Sequence, residues 1–224
     1  MGSTRLPGKP LADICGRSLI LRVLDGAFRA NPDRLVVATD SVQIERAVLS
    51  AGYEAVITGP ADSGTQRVNM AWEALGRPGE RIINLQGDEP FIEADWIHAL
   101  AGQSMLPDAV VTLARKIPAN EGADPSLVKV VVDSRGEAMY FSRSPIPWGS
   151  SFFFQHVGVY CFTSTSLPLC AGSPRSQLAQ QEKLEQLDWM ENGVKITVIP
   201  GEWNSIGVDT PNDLEEAREW FRNN

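Results

Sequence analysis

The stretch NLQGDEP (84–90) runs an apolar segment into Gly87, Asp88, Glu89 and Pro90. Gly87 permits close backbone approach or an unusual turn. Asp88 then stands at a strand end, where ligands of open parallel sheets bind. A carboxylate there suits Mg²⁺, which prefers hard oxygens and takes one or two carboxylates beside substrate phosphates. The competing reading is an Asx-turn or a cap for the next helix. GVDTPNDLEEA offers a second carboxylate, Asp209, just before Thr210 and Pro211. That is a helix start, and Asp and Thr both favour the N-cap. The two carboxylates say more together than apart, because one metal needs convergent oxygens from separate segments.

Other residues suit anions. The opening GSTRLPGKPL places Ser3, Arg5, Gly8 and Lys9 in one short loop of anion-binding type. SGTQR (63–67) puts hydroxyls, backbone donors and Arg67 at a helix start, a nucleotide contact or simply a capped helix with a solvated arginine. FSRSPIPW places Arg143 just past a strand, either as a bidentate fork for a substrate carboxylate or as a surface residue before a proline-rich turn. His156, in QHVGVY, reads as a satisfied core or rim residue of an apolar strand. Glu182 and Gln186 fall four apart, on one face of a helix that reads as solvated. Cys15 reads as a buried small residue with no base beside it. Most of the six tryptophans read as packing.

These residues need a scaffold. SLILRVLDGAFRAN has apolar positions at helical spacing: Leu19, Val23, Leu24, Ala27 and Phe28. RLVVATD follows as a buried strand, SVQIERAVLSAGY as a helix capped by Ser41 and ended by Gly52, EAVIT as a strand, TQRVNMAWEAL as a helix and RIINLQ as a strand. The alternation predicts an α/β fold, with a mostly parallel, Rossmann-like sheet covered by helices. From about residue 108 four strand-like runs follow with no long helix between them, predicting an antiparallel insertion at about 108–165. SQLAQQEKLEQLDWMEN returns to helix, KITVIP to strand, and TPNDLEEAREWFRN forms a last helix with proline in its first turn.

Composition narrows the function. The chain has 224 residues, enough for one domain with a proper core. Its 20 Lys and Arg against 28 Asp and Glu give a net charge of −8, a poor match for nucleic acid. Phosphates must then be met by local donors or metal. No apolar run is long enough to span a membrane. Three cysteines without a CxxC argue against a zinc site and suit a reducing cytosol.

Taken in order, STRLPGKPL, VVATD, SGTQR, NLQGDEP, KVVVD, YFSRSPIPW, QHVGVY, EKLEQL and GVDTPNDL resemble the 3-deoxy-D-manno-octulosonate (Kdo) cytidylyltransferases, or CMP-Kdo synthetases. The likeness runs over nearly the whole chain. RLPGKPL and GDEP occur widely among nucleotidyltransferases, whereas YFSR with IPW, HVGVY and LEQL are more specific. The resemblance implies a single cytidylyltransferase domain over 1–224, with the insertion serving sugar binding and dimerisation. It implies transfer of CMP from CTP to the anomeric hydroxyl of Kdo, a magnesium requirement, a homodimer, and a cytoplasmic role in lipopolysaccharide synthesis. Near alternatives are another keto-acid sugar, such as an amino-Kdo or a sialic acid, or a non-catalytic nucleotide- or sugar-binding remnant.

Carried over by residue, the resemblance makes Asp88 and Asp209 the metal carboxylates and puts Lys9, a catalytic residue, in the CTP-contacting loop. Ser3, Arg5 and Arg67 become CTP contacts. Gln86, Arg143, His156, Glu182 and Gln186 become the sugar-binding set. Two departures stand out. The segment between IPW and QHVGVY is shorter than is usual in the family. Met1 and Gly2 stand where a variable and a small residue follow an apolar strand ending in Pro-Ala-Arg. The expectation is that Met1 is an internal methionine of a longer natural protein that supplies this strand.

Overall fold

The structure is a computed structural model and describes residues 6–203 and 207–223. After a 3₁₀ turn at Lys9–Leu11 come β1 (Asp13–Ile14), β2 (Arg17–Ser18), α1 (Leu19–Phe28), β3 (Val36–Thr39), α2 (Val42–Ser50), β4 (Glu54–Ile57), α3 (Gly64–Ala74) and β5 (Arg81–Asn84). Then follow α4 (Ala94–Gly102), β6 (Val110–Pro118), β7 (Lys129–Val132), β8 (Ala138–Ser142) and β9 (Phe152–Thr163). The chain closes with α5 (Ser166–Ala171), α6 (Gln177–Glu182), α7 (Gln186–Glu191), β10 (Ile196–Gly201) and α8 (Pro211–Asn223).

The chain forms two compact units. The first takes residues up to Ala61, then Leu85–His98 and the segment after Asn204. In it β3 and β4 pair in parallel, joined by α2, and β1 and β2 form a small hairpin. Ser41 caps α2 by accepting from the Ile44 amide at 3.4 Å, and Gly52 follows the helix with φ 85°. Leu19, Val23, Leu24 and Ala27 of α1 are buried as their spacing predicts. Phe28 is exposed instead, and its ring meets Tyr53 edge-on. Ile20 and Leu24 pack with Val37, Ile44 and Val48, while Leu19 packs with Phe91, Val208 and Leu214. A Cβ on Gly26 would lie 2.5 Å from the Ile92 carbonyl oxygen, so the missing side chain lets α1 approach the segment after GDEP.

The second unit spans Asp62–Asn84 and Ala99–Trp203. Its sheet runs β10-β6-β9-β7-β8, with β10 parallel to β6 and the other pairs antiparallel. The twelve-residue β9 takes β6 along one edge and both β5 and β7 along the other. The alternating pattern led β5 to be read beside parallel neighbours, but it pairs antiparallel with β9, Asn84 opposite Tyr160. Length explains this: β9 outlasts β7 and leaves free edge for a further strand. Val110, Val130, Phe141, Phe162, Leu187, Trp189 and Ile196 are buried in one cluster.

The run 176–192, read as one helix, is two. Lys183 takes φ 56°, and the Leu184 amide bonds back to the Ala179 carbonyl at 3.1 Å, a left-handed helix stop. Glu182 and Gln186 therefore do not share a helix face. Cys15, read as buried, is exposed, because it sits with φ 53° at the tip of the β1–β2 hairpin. Trp72, Trp96 and Trp189 pack inside, whereas Trp148 is 99% exposed. Among the described residues no helix is long and apolar enough to cross a membrane.

Candidate active site

The first unit brings three candidate residues to one point. Lys9 opens the 3₁₀ turn at 9–11, following Gly8 at φ 70°. Its Nζ donates to Asp88 Oδ2 at 2.6 Å and to Asp209 Oδ1 at 2.9 Å. Burial works to lower the Lys9 pKa, but the charges and hydrogen bonds of Asp88 and Asp209 outweigh it and raise the ammonium above its ordinary range.

The segments that carry the carboxylates are tied together through the backbone. The Val208 amide donates to the Asp88 carbonyl at 2.9 Å, and the Glu89 amide closes a turn onto the Gln86 carbonyl at 3.3 Å. Val208 is fully buried beside Phe91 and Leu214. The competing reading of Asp209 as a helix cap is answered by its neighbours. Thr210 Oγ1 accepts from the Asp213 amide at 3.2 Å, while Asp213 Oδ2 accepts from the amides of Asp209 and Thr210, both at 2.8 Å. This reciprocal capping box starts α8 and leaves the Asp209 carboxylate for Lys9.

Two carboxylates from distant segments meeting at one cation is the arrangement a magnesium ion asks of a protein that leaves its other positions to phosphates and water. Among the described residues no group of three or more His, Cys, Asp or Glu side chains could hold a metal. Asp88 and Asp209 supply carboxylate oxygens of the hard kind that magnesium takes. Gln86 is half-buried in this unit, two residues before Asp88. Ser3 and Arg5 lie outside the described residues.

The other candidates belong to the second unit. Arg67 is half-buried in the first turn of α3, which Ser63 caps by accepting from the Gln66 amide at 3.1 Å. Arg143 and Glu182 are brought together: the Arg143 amide donates to Glu182 Oε2 at 2.9 Å, and Arg143 Nε to the Glu182 carbonyl at 2.8 Å. Ser142 Oγ donates to Glu182 Oε1 at 2.6 Å, so protein donors engage both carboxylate oxygens. His156 lies in β9 with its ring edge-on to Phe141. Thr112 Oγ1 lies 2.9 Å from His156 Nε2 and donates to the Val159 carbonyl at 2.7 Å. A hydroxyl has one proton, so Nε2 carries the hydrogen of that pair. Burial pushes the His156 pKa down to about 3, so the ring is neutral. Gln186 opens α7, buried, with its side-chain Nε2 unpartnered.

Two residues escaped the sequence reading. Glu185, one residue before Gln186, accepts from Thr65 Oγ1 at 3.1 Å, so the SGT and LEQL motifs meet. Burial raises its carboxyl above the usual range. Lys129 was passed over inside an apolar strand and is fully buried. A lysine at a core position was the available signal, since such residues are almost never buried without partners.

Comparison with known proteins shows the family. The family model described as Cytidylyltransferase matches residues 1–196. A 3-deoxy-manno-octulosonate cytidylyltransferase of Anaeromyxobacter sp. (strain K) is 44% identical, over 97% of this chain and 92% of the relative. That of Porphyromonas gingivalis is 39% identical over 98% and 92%. A solved structure of CMP:2-keto-3-deoxy-manno-octonic acid synthetase complexed with CTP superposes with TM-score 0.91 at 39% identity, covering 99% of this chain and 95% of that one. A putative glucose-1-phosphate thymidylyltransferase from Bacillus anthracis shares the fold alone, with TM-score 0.69 at 13% identity and 99% and 92% coverage. The chain therefore belongs to the cytidylyltransferase family, among the 3-deoxy-manno-octulosonate cytidylyltransferases.

Proposed function

We propose that this chain transfers CMP from CTP to the anomeric hydroxyl of Kdo, giving CMP-Kdo and pyrophosphate. The observation that carries the proposal is the meeting of Lys9, Asp88 and Asp209 at one point. The anomeric oxygen bonds to the α-phosphorus of CTP as the bond from that phosphorus to the bridging oxygen breaks. Pyrophosphate leaves with the electron pair, and the hydroxyl proton passes to water. Asp88 and Asp209 would hold a magnesium ion, which would supply Lewis acidity toward the sugar hydroxyl and the α-phosphate. Lys9 adds fixed positive charge for the triphosphate and the departing pyrophosphate. The guanidinium of Arg143 forks the carboxylate of the keto-acid sugar, and a planar fork does this better than an ammonium. Arg67 serves the nucleotide, and Gln86, His156 and Gln186 the sugar. His156 is neutral, so it acts by hydrogen bonding and not by charge.

The same reading has the enzyme acting in the cytoplasm as a homodimer, which light scattering tests. The reaction is tested by pyrophosphate release from CTP with Kdo, an amino-Kdo or N-acetylneuraminate as acceptor. Release with Kdo and little with N-acetylneuraminate is expected. Equal rates with the sialic acid would overturn the sugar assignment, and no release with any acceptor would overturn the activity.

A further inference from the structure

Lys129 opens β7 with 0% exposure. A buried ammonium is costly unless every hydrogen finds an acceptor. Here three carbonyls receive it: Asp124 at 2.8 Å, Leu127 at 2.6 Å and Arg143 at 2.5 Å. An ammonium has three hydrogens, so its donor capacity is fully used. Two of these carbonyls lie in the loop just before β7, and the third belongs to Arg143, fourteen residues on.

Arg143 is held from other sides as well. Glu182 takes its amide and its Nε, and the Pro125 carbonyl takes Nη1 at 2.9 Å. Pro125 lies inside the loop that Lys129 gathers between Asp124 and Leu127. Lys129 thus fixes both the main chain of Arg143 and the carbonyl that receives its guanidinium. A guanidinium carries five N–H donors. These contacts use Nε and one hydrogen of Nη1, and they leave the other Nη1 hydrogen and Nη2 for a carboxylate.

We propose that Lys129 is the positioning residue that sets Arg143 for the substrate carboxylate. This rests on the reading of Arg143 as the carboxylate fork. Lys129 touches no substrate; it acts by holding the arginine in the one orientation that meets both carboxylate oxygens. Misplacing a positioned group by about 1 Å is enough to cost on the order of a hundredfold.

The test is a double-mutant cycle on the full chain, following the KM for Kdo and for CTP. Lys129→Gln keeps two donor hydrogens and Lys129→Met keeps none. Each is made alone and with Arg143→Ala. In the parent chain Lys129→Gln should raise the Kdo KM about tenfold, and Lys129→Met further, with the CTP KM unchanged within about twofold. In the Arg143→Ala background neither should add more than about twofold. An unchanged Kdo KM, an equal effect in both backgrounds, or failure of both variants to fold would overturn the proposal. Arg143→Ala alone separates the readings: an unaltered Kdo KM there refutes the fork itself, whatever Lys129 does.

Discussion

The ammonium of Lys9 lies 2.6 Å from Asp88 Oδ2 although 79 residues separate them. With Asp209, 200 residues away, it completes a positive charge held between two carboxylates. Asp88 and Asp209 are 33% and 49% exposed, and ion pairs of that kind contribute about 0–1 kcal/mol to stability. Asp88→Asn and Asp209→Asn should therefore each lower kcat on the order of a hundredfold or more while the melting temperature moves by only a few degrees. Steady-state kinetics beside calorimetry checks this; a fall in stability that accounts for the lost activity would contradict it.

Lys9→Met should leave the two carboxylates facing each other without a cation. The variant is expected to melt lower than the parent chain in chelator, and to recover more on adding magnesium. Thermal denaturation with and without Mg²⁺, in the absence of nucleotide, reads this directly. An equal response in both chains would mean that the metal does not use these oxygens.

Gly26→Ala should destabilise although alanine is the better helix former. The propensity gain is about 1 kcal/mol. Against it stands a Cβ placed 2.5 Å from the Ile92 carbonyl oxygen and 2.8 Å from Ile92 Cγ2. Forcing such a contact costs typically 1–3 kcal/mol. Urea denaturation should show a net loss. Ile92 is four residues from Asp88, so kcat should fall as well.

His156 gives a pH dependence. Its ordinary value is 6.5 and burial takes the folded value to about 3. Between those values the unfolded chain binds a proton that the folded chain does not. Stability from this group is therefore complete above about pH 6.5 and declines as the pH falls through the window, by at most about 1.4 kcal/mol per pH unit. His156→Gln should flatten the loss of urea stability between pH 7 and 4 relative to the parent chain. Parallel curves for the two chains would refute the burial argument.

Much of this was legible in the sequence because the signals are local. Ser41, Ser63 and Pro211 mark helix starts by chemistry that acts within one turn, and each starts a helix. Asp209 was ambiguous because Asp and Thr are both good caps. Only the geometry shows that Thr210 and Asp213 take that task. The break at Lys183 was invisible, since neither glycine nor proline marks it. Lys129 was invisible too: its partners are backbone carbonyls, which every residue has. Cys15 was misjudged because a hairpin tip can carry a small apolar residue without burying it.

That break at Lys183 has a consequence for Arg143. In an unbroken helix the Glu182 carbonyl would accept the Gln186 amide four residues on. By ending at Lys183, α6 keeps that oxygen out of the helical ladder, and Arg143 Nε occupies it at 2.8 Å. One residue in a left-handed conformation converts a main-chain acceptor into a side-chain anchor, so a substitution that restored helix through 183 would take the acceptor from Arg143 Nε without touching the arginine.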